Sequence, residues 1–585
     1  MSARHSAPAR RGAPSWLCPA LVVLVALAAS LPVLMPELPY VKGQDLLFHL
    51  HRIDGIAQGL RDGQFPVRMQ TVQLNGYGYP VSVCYGDLLL YLPALLRLAG
   101  LPMRVAYGSL VVGANLLCAG LSYACLGRMF GSRAAGLLAC VLWTLCPYRL
   151  LDDVWLRGAV GEYLALGFFP AIAYGLWSVF MHDREGASRM GWLWCAAGAA
   201  GVVYSHVLSV VLAALLFVPL LAALLVMRHD ARALRGLALA ALAALGLCLA
   251  FAVPFLDYYT GADLAVVAAG SADNRIKAAT YALSARQLLD PAEAFNLCWA
   301  GLAGAAIWLV SAILPRARRA APAGELALGW VTLAVAAVLA WASSAAFPWG
   351  AELPGPLDAL VSALSSIQFS WRLVGPLSFA LVLLSCAGVA RLSRVAPRGA
   401  HLVAAALAVA CAVEAALGLW AFAGRAEGVP EDYAQLPSFG GVAMGEYLPA
   451  GADPLALLED EDPEPVASGD VTVASWSRQG ARVTLEVTGG AAGGDVTLPL
   501  LAYPHYEISS RPNGCSLGEG PGARLCVSVP AGYEGEVSVF FSPPRSWDLS
   551  LWASWAVAAG CAGVALVVGR RTPAPKPAAG RHARA

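Results

Sequence analysis

The chain has 585 residues, of which 58% are hydrophobic and 13% charged, with a net charge of +1 and a mean hydropathy of +0.63. So apolar a composition excludes a water-soluble globule and points to a chain that crosses a bilayer many times. The net charge selects no partner, and no nucleic acid is expected among them.

The N-terminus "MSARHSAPARRGAPSW" is basic and runs into an apolar stretch. That stretch is longer than the core of a secretory signal, so an uncleaved first span is favoured over cleavage after Ala29. Windows of about 20 apolar residues predict about twelve transmembrane helices, near 16-36, 105-126, 133-147, 159-180, 190-204, 207-227, 236-256, 295-314, 325-343, 372-390, 400-422 and 549-568. With the basic N-terminus (1-15) in the cytoplasm, every inward link carries arginine: Arg128 and Arg133; Arg184 and Arg189; Arg228, Arg232 and Arg235; Arg316, Arg318 and Arg319; Arg391, Arg394 and Arg398; Arg570 and Arg571. This follows the positive-inside rule. It predicts a plasma-membrane protein with both termini cytoplasmic.

The exterior then receives a first loop, 37-104, and links at 148-158, 257-294 and 344-371. It also receives a large segment, 423-548, before the last span, 549-568, and a basic disordered tail, 569-585. In the first loop, "GDLLLYLPALLRLAGLP" is too short and proline-broken to cross, so an interfacial or re-entrant helix is expected. In 423-548 the composition turns acidic at "LEDEDPEP". Alternating runs such as "GARVTLEVTGG", "GDVTLPLLAY", "ARLCVSVPAG" and "GEVSVFFSPP" then predict a small exterior β-sandwich. Most of the fourteen cysteines sit singly in apolar runs, as Cys118 and Cys386 do; Cys515 and Cys526 flank a Gly-rich turn and form a candidate disulfide if that segment faces an oxidising exterior.

The chemistry-bearing groups collect at the outer ends of the spans. Asp45 lies just past the first span, in "KGQDLLFHLHRIDG". The sequence continues as a helix expected to lie along the membrane surface, with His49 on the face of Asp45 and His51 and Arg52 turned elsewhere. Asp45 is either a helix cap, with the basic residues on lipid headgroups, or a catalytic base at the water-membrane boundary. The link "CPYRLLDDVWLRGAVGEYLALG" holds Arg149, Asp152, Asp153, Arg157 and Glu162. Arginines on the outer side either grip a phosphate or pair with these acids.

His206, Arg372 and Glu414 join them as ionisable groups at membrane depth, though His206 also suits a helix end. Tyr77 and Tyr79, with Tyr85, either form an interfacial aromatic belt or stack on a sugar ring. The sequence has no Walker loop, no G-x-G-x-x-G before a helix, no H-E-x-x-H and no cysteine-pair zinc spacing. Any energy source must therefore arrive with the substrate.

The stretches "GQDLLFHLHRIDGIAQGLRDGQFPVRMQTVQLNGYGYP", "YLPALLRLAGLPMRVAY", "CPYRLLDDVWLRGAVGEYLALGFFP", "IQFSWR" and "GEYLP", spread over 43-449, together resemble a bacterial integral-membrane family labelled 6-pyruvoyl-tetrahydropterin synthase-related, close to the YfhO-type proteins. A pterin synthase would need a soluble fold with three zinc histidines, whereas His49 and His51 sit two apart on a helix and cannot face one metal. What the resemblance implies is a GT-C glycosyltransferase fold: a bundle over 16-422, a catalytic aspartate in the first outer loop, at Asp45, and a polyprenyl-phosphate sugar donor.

The acceptor expected with such a donor is a cell-envelope glycan or polymer, and Arg149, Arg157, Arg372, His206 and His49 are the residues expected around the donor phosphate. Asp152, Asp153 and Glu162 match a second acidic site loosely. No cofactor is required outright, and a divalent metal stays open. A lipid-linked glycan flippase would need polar residues threading the mid-membrane, and a non-enzymatic envelope-assembly protein would work through its β-domain.

Overall fold

A computed structural model describes residues 16–34, 43–268, 271–315, 323–423, 442 and 445–571. The expectations for the basic N-terminus, most of the tail, and Arg316, Arg318 and Arg319 fall outside them. Among the described residues ten helices are long and apolar enough to cross a membrane. Two more, Gly191–Ser205 and Trp299–Ile313, have 15 residues each and occupy the remaining windows. At 1.5 Å per residue they reach about 22 Å, short of a bilayer core of about 30 Å, so they need help from flanking chain to cross.

The bundle is organised around the helix Val374–Val395, in which every residue from Val374 to Arg391 is buried. A helix that is apolar all round belongs in a core. Trp143, Phe169 and Phe217 pack around its Phe379. At one end of it Arg391 Nε donates to Ser311 Oγ at 3.1 Å, and at the other the chain enters through Ser370–Leu373, which carries Arg372. The arginine-bearing links gather at the Arg391 end, where Arg394 forks onto Glu325 at 2.8 and 3.1 Å and Arg228 pairs with Asp183. Asp45, Arg157 and Glu162 gather with Arg372 at the other end.

The helix Leu46–Arg61 does not lie open on a membrane surface as expected. Leu46, Leu50, Ile53 and Ile56 pack against Met103, Tyr107 and Leu110, while Phe48 joins a separate cluster with Tyr79 and Val83. His49 and Arg52 are only 2% and 1% exposed, which ends the lipid-headgroup reading for them. The stretch expected as an interfacial or re-entrant helix forms the short helix Tyr91–Leu98.

The β-rich part is one six-stranded antiparallel sheet folded on itself: β1 (Val466–Gln479), β2 (Arg482–Leu501), β3 (Tyr506–Arg511), β4 (Ser516–Gly520), β5 (Arg524–Val529) and β6 (Glu534–Phe541). The long β2 pairs with β1 along its length, with β6 over 482–488 and with β5 from Gly494. A register shift at Gly489–Gly493 separates the two halves, so Val483, Leu485 and Val487 from one and Val496, Leu498 and Leu500 from the other fill one core. Cys515 and Cys526 are free, correcting the disulfide expectation. Cys526 stands opposite Gly518, three residues along from Cys515. At about 3.3 Å per residue that offset is about 10 Å, beyond the reach of an S–S bridge.

Candidate functional site

A cavity of about 1230 Å³ opens at the Arg372 end of the bundle. Of the residues expected from the sequence, Asp45, His49, Arg157, Glu162, His206 and Arg372 line it. Tyr85, expected as a belt or sugar-stacking ring beside Tyr77 and Tyr79, lines it as well, and sequence reasoning missed Lys277, Glu446 and Tyr447, which line it too.

Asp45 is positioned by backbone. Its N–H donates to the Arg157 carbonyl at 2.6 Å, and this approach needs two glycines. A Cβ on Gly43 would stand 2.7 Å from the Arg157 carbonyl group, and one on Gly158, whose φ is +67°, would stand 2.5 Å from Leu46 Cβ. Asp45 precedes the helix Leu46–Arg61 without a side-chain capping bond. Its carboxylate, 40% exposed, instead turns toward Arg157 Nη2 at 3.9 Å.

Arg157 ends a π-helical stretch, Tyr148–Leu156. The wider i→i+5 turn lets both Asp152 and Asp153 reach one guanidinium, at 3.1 and 3.3 Å from Nη1, while Glu162 takes Nη2 at 3.1 Å. The ring of Trp371 lies 4.7 Å below it. Arg157 is therefore engaged by carboxylates, and Asp152 and Asp153 are fully buried behind it rather than facing the cavity as a second acidic site. Among the described residues no group of three His, Cys, Asp or Glu is placed to hold a metal ion.

Arg372 is less committed. Its Nη1 donates to the Ile367 carbonyl and to Gln368 Oε1 at 3.0 and 3.2 Å, and Nε stands 3.5 Å from Glu162 Oε2. Its Nη2 has no hydrogen-bond partner among the described residues. His49 faces the cavity beside Tyr85, with Arg52 Nη1 donating to its Nδ1 at 3.2 Å. Because arginine only donates, Nδ1 must accept, which leaves the ring proton on Nε2. Burial first, then the positive charge of Arg52, lowers the imidazole pKa well below its usual value and keeps His49 a neutral donor. His206, between two spans, holds Ser209 Oγ at 2.8 Å and stacks near Tyr85.

Arg149 does not reach the cavity. It points into the bundle, donating to Cys118 Sγ, the Trp143 carbonyl and the Tyr163 carbonyl, with its guanidinium 4.6 Å from the Tyr163 ring. This removes it from the phosphate set. Glu414 accepts from Trp299 N–H at 3.1 Å and caps the helix Trp299–Ile313.

Tyr77 and Tyr79 are buried, which corrects both the sugar-stacking and the aromatic-belt readings. The Tyr77 hydroxyl donates to Asp460 Oδ2 and accepts from Arg524 Nη1 at 2.9 Å, pinning the first loop to the β-sheet. The Tyr79 hydroxyl donates to the Val442 carbonyl. Tyr77→Phe is expected to lower stability by about 1–2 kcal/mol through those two bonds, with activity within about two-fold of wild type. Thermal unfolding and initial rates of the purified variant check this.

No family model matches the sequence, and no curated protein matches it. Among solved structures, two of the arabinofuranosyltransferase AftD from Mycobacteria are similar at 16% identity, with TM-scores of 0.43 and 0.42, over 70% of this chain and 28% and 27% of theirs. A structure of ArnT from Cupriavidus metallidurans bound to undecaprenyl phosphate is similar at 18% identity and a TM-score of 0.36, over 77% of this chain and 78% of that one. The chain thus spans under a third of the length of the AftD chains. Likenesses this distant assign no family, and neither does the pterin-synthase-related label.

Proposed function

We propose that this chain is a GT-C-type membrane glycosyltransferase that moves a sugar from a polyprenyl-phosphate donor to a cell-envelope acceptor on the outer face of a bacterial plasma membrane. The observation that carries the reading is the Asp45 carboxylate, half-exposed in the wall of a cavity that also holds Arg372, His206 and the neutral His49. Asp45 takes the proton of an acceptor hydroxyl as that oxygen attacks the anomeric carbon, and the lipid phosphate departs. Negative charge grows on the leaving phosphate as the glycosidic bond breaks, so a donor aimed there favours the transition state over the ground state.

Arg372, with an uncommitted Nη2, is the guanidinium for that task, and Lys277 adds a second cation in the same cavity. Arg157, already held by three carboxylates, positions Asp45 instead. The apolar side of the cavity, with Val207, Leu208, Phe255 and Leu256, offers the polyprenyl chain a lining, and Leu256 is 55% exposed on the bundle's outside.

The test is incubation of the purified protein with a panel of polyprenyl-phosphate sugars and measurement of released lipid phosphate. Release from at least one donor by wild type, with Arg372→Met slowed about 10- to 100-fold by loss of a charge-assisted contact, is expected. If no donor is consumed while vesicle-reconstituted protein translocates a lipid-linked glycan, the flippase reading replaces this one.

A further inference from the structure

The segment 445–450, just ahead of the β-sheet in the chain, contributes a wall to the cavity. Glu446 and Tyr447 line the cavity, although they are far along the chain from Asp45. Their backbone is fixed from two sides. Val266 N–H donates to the Glu446 carbonyl at 2.8 Å, Ala265 N–H to the Leu448 carbonyl at 2.9 Å, and Ala450 N–H to the Asp263 carbonyl at 2.8 Å. From the other side Tyr447 N–H donates to the Tyr79 hydroxyl at 3.2 Å, and the Tyr503 hydroxyl donates to the Tyr447 carbonyl at 3.0 Å. A strap clamped in this way has little freedom to withdraw its side chains.

The Glu446 carboxylate makes no hydrogen bond or ion pair among the described residues. Burial raises its pKa, Arg372 and Lys277 oppose that shift, and Asp45 is close enough for its charge to add to it. A half-buried carboxylate left unpartnered, while cations in the same cavity pair elsewhere or face solvent, is unexplained by packing. Carboxylates with free lone pairs are strong acceptors for hydroxyl groups.

We propose that Glu446 is the acceptor-recognition residue of this site, accepting hydrogen bonds from hydroxyls of a polyhydroxylated glycan and so presenting one of them to Asp45. The inference rests on the glycosyltransferase reading. Tyr79 and Tyr503, which hold the strap, are positioning residues for it. Glu446 touches acceptor rather than donor, because the donor phosphate needs the cations and is repelled by a second carboxylate.

The test is binding, kept separate from turnover. Full-length protein in detergent is titrated with fluorescently labelled linear tetrasaccharides of glucose, galactose, mannose and arabinose, read by fluorescence anisotropy. At least one is expected to bind wild type, to bind Glu446→Ala about 10- to 100-fold more weakly, the worth of one or two hydrogen bonds to a charged acceptor, and to regain part of its affinity with Glu446→Asp. Glu446→Gln, nearly isosteric, guards against misfolding, and thermal unfolding of each variant is recorded alongside. Binding of no tetrasaccharide to wild type, or equal binding by wild type and folded Glu446→Ala, overturns the inference. Failure to release lipid phosphate from any donor overturns the glycosyltransferase reading instead, whatever the titration gives.

Discussion

Asp45→Asn is expected to slow sugar transfer about 10²- to 10⁴-fold, the usual worth of a positioned general base, while the protein stays folded. The two halves of that expectation have separate structural grounds. The side chain forms no helix-capping bond, and its ion pair with Arg157 is long, at 3.9 Å, and 40% exposed on the aspartate side. A pair of that kind contributes at most about 1 kcal/mol. What places residue 45 is the backbone bond from its N–H to the Arg157 carbonyl, which asparagine keeps. The amide fills the same volume and cannot take a proton.

Initial rates of lipid-phosphate release, with thermal unfolding of the same samples, check this. Wild-type turnover in the variant removes Asp45 from the chemistry. A flippase would move its lipid-linked glycan as well with asparagine as with aspartate, so the same variant also separates the two readings.

The bundle was legible because its signal is one-dimensional: a run of apolar residues long enough to cross a bilayer announces a helix whatever its neighbours. Each of the twelve expected windows coincides with a helix, and the two of 15 residues fall short only in length. Short strands were legible where one face is buried, yet "GARVTLEVTGG" and "GDVTLPLLAY" are two halves of a single bent β2. β1 alternates only briefly, at Val471 and Val473, and is exposed over most of its length.

The site was legible where an ionisable group interrupts or ends an apolar run, as at Asp45, Glu162, His206 and Arg372. Arg149 shared that signal, and its direction was set by a π-helical turn that linear spacing does not reveal. Tyr77 and Tyr79 lie in a Gly-rich loop, where no period fixes which way a ring points, and both turned inward. Lys277 and Glu446 were missed because they reach the cavity only through tertiary packing. The one trace of Glu446 in the sequence was the stretch "GEYLP".

Arg157→Met is expected to be the most damaging single change to the fold, costing about 3–5 kcal/mol. The wild-type guanidinium sits among Asp152, Asp153 and Glu162, whose side chains are 0%, 0% and 1% exposed. Burying a carboxylate without a partner is unfavourable by several kcal/mol, so the loss comes less from the missing arginine than from the acids left behind. Arg372 Nε, 3.5 Å from Glu162, can compensate only that one acid.

Lysine at 157 keeps the charge but loses the fork that serves three carboxylates at once, so it should fall between methionine and wild type. Adding Glu162→Gln to Arg157→Met should recover part of the loss, since one of the stranded charges then disappears. Yield of monodisperse protein on size exclusion and the melting temperature of the three variants measure these differences. A melting temperature for Arg157→Met equal to wild type would mean that the buried acids carry protons and need no cation, and Arg157 would then be free to meet a substrate anion after all.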